Sequence, residues 1–174
     1  MTDSLNSRKG VSYLTAFLCF AAAVAVDQIT KYLAVIHLKD GRPFIIIDGV
    51  FQLYYLENRG AAFGLLENRQ LVFILGAFLV LAAFIFMYIK LPFNRRFVPL
   101  RICAVLLCAG AVGNLIDRLR LNYVIDFFYF NLIDFPIFNV ADCYVVVSCI
   151  IFVFLILFYY KDEDFAFLNF RRSK

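Results

Sequence analysis

The stretch Leu71–Ile89, Leu-Val-Phe-Ile-Leu-Gly-Ala-Phe-Leu-Val-Leu-Ala-Ala-Phe-Ile-Phe-Met-Tyr-Ile, runs nineteen residues without a charge or a proline. A helix crosses ~30 Å of hydrocarbon in ~20 residues, so this run by itself predicts a membrane span. Three further apolar runs flank it: 11–36, interrupted only near Asp27 and Lys31; 98–116, carrying only Arg101 before its end; and 140–160, carrying only Asp142. The whole chain agrees, with 174 residues that are 64% hydrophobic and 17% charged and a mean hydropathy of +0.83. Soluble domains carry about 25% charged residues, and disordered chains lack the 22 Phe and 10 Tyr found here, so both classes are excluded. A β-barrel would alternate polarity along short segments, which these unbroken runs do not. The expected fold is an all-α polytopic membrane protein of four transmembrane helices, about 11–36, 71–89, 98–116 and 140–160, forming one domain over 1–174.

The connections differ in kind. The first, about 38–69, is long, and within it Phe44–Leu56 is rich in Ile, Phe, Tyr and Leu with a break at Asp48-Gly49. That pattern predicts a small extracytoplasmic β-hairpin between helices 1 and 2, a platform on the membrane surface. Pro92-Phe93-Asn94 predicts a tight turn, and 119–138 an aromatic loop at headgroup level. Four crossings put both termini on one side. Arg8, Lys9, Lys90, Arg95, Arg96, Arg101, Lys161, Arg171, Arg172 and Lys174 make ten of the 17 basic residues, and they fall at the termini and the second connection. The positive-inside rule therefore predicts cytoplasmic termini. The basic tail, interleaved with Phe165, Phe167, Leu168 and Phe170, reads as an anchor against anionic lipid rather than a nucleic-acid site. Ala23-Val24-Ala25 resembles a signal-cleavage site, but removal of helix 1 would put the basic C-terminus on the wrong side.

Cysteine and histidine chemistry is poorly supported. Cys19, Cys103, Cys108, Cys143 and Cys149 show no ligand spacing and read as small residues packing between helices. His37 is the lone histidine and reads as interfacial, so no metal site is expected. Cys19 follows Phe17-Leu18, too bulky for a lipid-acceptor motif.

The polar residues in apolar surroundings carry the functional signal. Asp27, Gln28 and Lys31; Glu57, Asn58 and Arg59; Asn114, Asp117 and Arg118; Asp126; and Asn139 and Asp142 all fall at the outer ends of the predicted helices. A charge at membrane depth costs ~2.5 to 3.5 kcal/mol on insertion scales, so several at one level imply a polar site. Asp27 lies sixteen residues beyond Val11, ~24 Å along a helix, just inside the outer interface. Asp126 sits in Val-Ile-Asp-Phe, and the turn around Asn131–Pro136 reverses the chain so that Asp126 and Asp142 can converge. Two close carboxyls share a proton and can activate water without a metal. Plainer readings stand beside this one. Asp27 and Lys31 at i,i+4 make a structural ion pair, the asparagines make interhelical hydrogen bonds, and Asp117-Arg118 makes an interfacial pair. The same acids also suit a proton- or cation-coupled carrier, or the whole a scaffold without chemistry. A carrier needs polar groups at the midplane, and Phe73–Phe86 and Ile102–Val112 hold none.

Five segments in order, Asp27-Gln28-x-x-Lys31, Glu57-Asn58-Arg59-Gly60-Ala61-Ala62-Phe63-Gly64, Gly113-Asn114-Leu115-Ile116-Asp117-Arg118, Val124-Ile125-Asp126-Phe127 and Phe138-Asn139-Val140-Ala141-Asp142, together resemble the bacterial lipoprotein signal peptidases, signal peptidase II. The resemblance implies a cofactor-free aspartic endopeptidase of the bacterial inner membrane, with its site at the extracytoplasmic face. It would remove signal peptides from prolipoproteins by cutting before the diacylglyceryl-modified cysteine. It implies Asp126 and Asp142 as the catalytic pair, Asn58, Arg118, Asn114 and Asn139 as substrate-binding residues, and Asp27 and Lys31 as a supporting polar pair. The expected partners are lipidated precursors and membrane lipids, with no nucleic acid, and the expected state is a monomer. Gly64 and Cys143 stand where many members have Ser, at positions that carry no chemistry.

Overall fold

Helix α3 (Val98–Leu121) is the axis on which the other three assemble, touching α1 (Thr2–Leu38), α2 (Gln70–Lys90) and α4 (Val140–Phe154). The computed structural model describes residues 2–60 and 69–168. Four segments, Lys9–Leu38, Gln70–Lys90, Arg95–Leu121 and Val140–Tyr159, have the length and apolarity to cross a bilayer, and the protein is multi-pass. Its surface is accordingly apolar, with Leu79, Ile150 and Phe158 among many exposed side chains that lipid covers. α4 is continued by a π-turn, Leu155–Tyr159.

Small residues let α3 take the centre. Cys103, Ala104, Cys108, Ala109, Gly110 and Gly113 are all buried on it. A Cβ at Gly110 would stand 2.5 Å from the Ala141 carbonyl oxygen and 2.8 Å from Val145, while one at Gly113 would strike the Asp27 carboxylate. Close backbone approach through small residues is how helices associate where the solvent is as apolar as they are. Cys103 and Cys108 fit the packing role expected of them, but Cys19 and Cys149 face outward and pack between no helices.

Two helix ends differ from the sequence expectation. α1 begins at Thr2, well before position 11, and α3 runs past Ile116 to Leu121. Asp117 does not end α3, because its side chain is buried and fully engaged. The helix stops instead at Asn122, which takes the left-handed conformation (φ 63°) and donates its N–H to the Arg118 carbonyl.

The platform is a three-stranded antiparallel sheet, ordered β1 (Phe44–Ile47), β2 (Phe51–Asn58) and β3 (Val124–Tyr129). The hairpin turns through Gly49 at φ 69°, as the Asp48-Gly49 break predicts. The third strand comes from the connection between α3 and α4, which reads in sequence as an aromatic loop. Val124, Ile125, Asp126 and Phe127 are all buried, so the strand lacks the polar alternation that reveals a half-buried one. Ile125 and Phe127 pack against Ala34 and Leu38 at the end of α1. Strand alternation turns Val124 and Asp126 to the opposite side, toward the interior of the site. Lys39 reinforces this join with an ion pair to Glu57 at 3.0 Å.

At the far end of the bundle Arg101 donates to the Leu91 carbonyl at 2.6 Å, satisfying the C-terminus of α2. Arg96 forks onto Asp164 at 2.5 and 2.6 Å and ties the chain after α4 to the start of α3. The geometry at Gly110 makes a direct prediction. Gly110→Ala overpacks the α3–α4 contact and should cost roughly 1–3 kcal/mol, read as a lowered thermal midpoint in detergent; an unchanged midpoint contradicts the close approach.

Candidate active site

Lys31 is 1% exposed and its ammonium is the meeting point of three polar side chains, one from its own helix and two from α3. It contacts Asp27 at 3.0 Å, Asp117 at 2.9 Å and the Asn114 side-chain oxygen at 2.9 Å. Each carboxylate then reaches one element further. Asp27 accepts the Ala141 N–H at 2.9 Å, in the first turn of α4, and Asp117 accepts the Ile125 N–H at 3.2 Å, in β3. The Gln28 amide lies 3.2 Å from Asp27 and 3.1 Å from Asp117. Sequence reading finds Asp27 and Lys31 as a pair but places Asp117 with Arg118 at the interface. In the structure Asp117 belongs to the lysine, and its depth, level with Asp27, was the available signal.

Asn139 caps α4. Its side-chain oxygen accepts the Asp142 N–H at 3.0 Å while Asp142 Oδ2 accepts the Asn139 N–H at 3.1 Å, a capping box with Asp in the third position. The same Asn139 amide donates to Asp126 Oδ1 at 2.6 Å. One residue thus joins both carboxylates, through its backbone to Asp142 and through its side chain to Asp126. It is completely buried and lies behind the pair, not on the cavity wall where a substrate-binding residue would stand.

Two more asparagines complete the pattern. Asn58 closes β2 by accepting the Gly60 N–H at 2.9 Å and donates to Asp126 Oδ2 at 2.7 Å diagonally across the strand pair, two residues along β3 from its partner Val124. Asn114 gives its oxygen to Lys31 and its amide to Asp142 Oδ1 at 2.8 Å. In all three the side-chain oxygen is occupied by a donor, which fixes the amide the other way round, toward a carboxylate. A two-for-three irregularity between β2 and β3, at Leu53–Leu56, precedes Asn58 and sets its facing.

Asp126 and Asp142 line one cavity of about 530 Å³ with Asn58, Asn114, Arg118 and Cys143. Phe135–Phe138 arch over it, and Val146 and Val147 lead from it down the outer face of α4. Arg118 lies 4.6 Å over the Phe73 ring and, among the described residues, hydrogen-bonds only the Asn114 carbonyl, at 3.5 Å, which leaves its guanidinium donors for a ligand. Burial, then the neighbouring Asp142 charge, pushes the Asp126 carboxyl up to about 7, against the pull of its two asparagine donors. Below this level the buried face of α3 turns to Cys103, Ala104, Leu107 and Cys108. A carrier finds no support in such an interior. Ala61-Ala62-Phe63-Gly64 of the second motif, and Phe170, Arg171, Arg172 and Lys174 of the tail, lie outside the described residues.

Four spans, a surface sheet and paired carboxylates in a cavity at one membrane face are the architecture of a polytopic membrane enzyme. A solved bacterial membrane enzyme superposes with a TM-score of 0.72 at 29% identity, over 92% of this chain and 94% of its own. The family model for signal peptidase II matches residues 19–158, and the chain belongs to that family of peptidases. The lipoprotein signal peptidase of Caldanaerobacter subterraneus subsp. tengcongensis is 44% identical over 82% of this chain and 96% of its own length. That of Clostridioides difficile is 41% identical over 78% of this chain and 90% of its own.

The raised Asp126 value has a consequence for stability. A carboxyl that holds its proton to about pH 7 when folded, and to about 3.8 at its ordinary value, binds more protons folded than unfolded between those limits. Stability from this group is therefore greatest near pH 4 and is lost as pH rises toward 7. Asp126→Asn should remove the loss, so the thermal midpoint of the variant should gain on the parent steadily from pH 4 to 7. A constant difference across that range contradicts the assignment.

Proposed function

We propose that the chain is an aspartic endopeptidase that removes signal peptides from prolipoproteins, cutting before the diacylglyceryl-modified cysteine. The observation that carries this reading is the pair itself: Asp126 and Asp142 face one cavity and are joined through Asn139. What supports the placement in a bacterial inner membrane, with cytoplasmic termini and an extracytoplasmic site, is the basic excess at the termini and at the α2–α3 connection.

The pair holds one proton. The ionised carboxylate takes a proton from water as the water oxygen bonds to the scissile carbonyl carbon, and the protonated carboxyl gives its proton to the carbonyl oxygen. The tetrahedral centre collapses when a proton passes to the leaving nitrogen and the C–N bond breaks. Arg118 and the remaining N–H of Asn58 are the donors positioned to hold substrate backbone. Asn139 is a positioning residue, since its amide is spent on Asp126 and its neighbours. Asn114 orients Asp142 and, like Asn58, keeps a second amide N–H at the cavity lining, while Asp27, Lys31 and Asp117 hold the helices that carry them.

The lipid requirement follows from depth. The scissile bond must reach a cavity at the membrane face beneath Phe135–Phe138, and two acyl chains hold a cysteine stably at headgroup level where one is marginal. Purified protein in detergent should therefore cleave a diacylglyceryl precursor and leave the unlipidated form essentially uncut, with the products read as a mass shift. Asp126→Asn and Asp142→Asn should each abolish cleavage while remaining folded, because an amide neither shares the proton nor activates water. Near-normal turnover by either variant removes that residue from the mechanism, and equal rates on the two precursors remove lipid recognition.

A further inference from the structure

A second cavity, of about 590 Å³ and almost wholly apolar, opens to the bilayer between α1, α2 and α3 in the half of the bundle away from the sheet. Tyr13 and Phe17 of α1, Leu81 and Tyr88 of α2, and Val105 and Cys108 of α3 outline it, on a different face of α3 from Asn114 and Arg118. Its size is within the roughly 300–1,000 Å³ of small-ligand sites. At the far end Tyr13 of α1 closes it against Tyr88 of α2 at 6.0 Å and Phe93 of the following turn at 5.2 Å between ring centroids.

Two cations stand at that closed end. Lys9, one helical turn before Tyr13 on the same face of α1, lies 5.7 Å from the centroid of the Phe93 ring. Arg101, one turn before Val105 on α3, lies 4.0 Å from the same centroid and 4.6 Å from that of Tyr88. Sharing one ring, they are closer than the roughly 10 Å over which salt screens charge at 0.1 M. Arg101 is buried and, among the described residues, hydrogen-bonds only backbone carbonyls. Neither cation has a carboxylate partner among the described residues. Two uncompensated positive charges at interface depth, at the foot of an apolar groove open sideways to lipid, complement a molecule with one phosphate and a long acyl chain.

We propose that this groove binds one anionic phospholipid of the leaflet at the far end of the bundle, an acyl chain lying along α1–α3 and the phosphate held by Lys9 with Arg101 behind it. The site is separate from the catalytic cavity and does not rest on the reading of that cavity. The occupant packs the seam that α1 and α2 leave open, so it ties α1, which carries Asp27 and Lys31, to the rest of the bundle.

Native mass spectrometry of the full chain in a non-ionic detergent, with equimolar phosphatidylglycerol and phosphatidylcholine of identical acyl chains, tests this. The protein should retain a single phosphatidylglycerol in clear preference to phosphatidylcholine. Lys9→Gln, at an exposed position, should lose about fivefold of that preference, the worth of one cation beside an anionic headgroup. Ala16→Trp, which fills the groove, should reduce retention of both lipids while an unchanged helical circular-dichroism spectrum and a monodisperse elution in detergent report a folded protein. Equal retention of the two lipids, or a preference unchanged by Lys9→Gln, overturns the proposal.

Discussion

A lysine buried along its whole length sets the geometry of this protein. Taking an ammonium out of water costs several kcal/mol, and the cost is met only if partners surround it with good geometry. Lys31 has three such partners, from its own helix and from α3. Because Asp27 and Asp117 also accept backbone N–H groups from α4 and β3, the ammonium positions the two elements that carry the paired carboxylates Asp142 and Asp126. Glycine at position 113 is part of the same arrangement, since any side chain there would occupy the space of the Asp27 carboxylate.

From that centre the orientation of each amide follows. Asn114 must turn its oxygen to Lys31, so its nitrogen faces Asp142. Asn139 must accept the α4 N–H, and Asn58 the turn N–H of Gly60, so both nitrogens face Asp126. The carboxylates receive donors from the protein and face the cavity otherwise, the arrangement the proposed proton-sharing pair requires. Burial and mutual repulsion raise Asp126 while the amides lower it, and the balance leaves it near neutrality.

Much of this was legible in the residues. The four spans followed from unbroken apolar length, and the polar residues at one membrane level marked the site because charge at that depth demands a reason. The third strand was hidden because a strand buried on both sides shows no alternation, and the aromatic content of its neighbours suggested an interfacial loop. The true end of α3 was hidden for a related reason, since Asp117 looks like a helix-ending charge until its buried lysine is known. Asn139 read as a wall residue, whereas only the fold reveals that its amide and backbone are consumed in joining the pair. Spacing reports which residues share a level; it does not report which polar atoms are already spoken for.

The central claim is that Asp126 and Asp142 titrate as a coupled pair held in place by this network. The direct measurement is a titration of ¹³C-labelled aspartate carboxyls by NMR, in detergent, on the parent protein and on Asp142→Asn. The account predicts that Asp126 in the parent titrates near 7, and that removing the Asp142 charge moves it down while burial keeps it above the ordinary 3.8. An Asp126 carboxyl that titrates near 3.8 in both proteins would contradict the account.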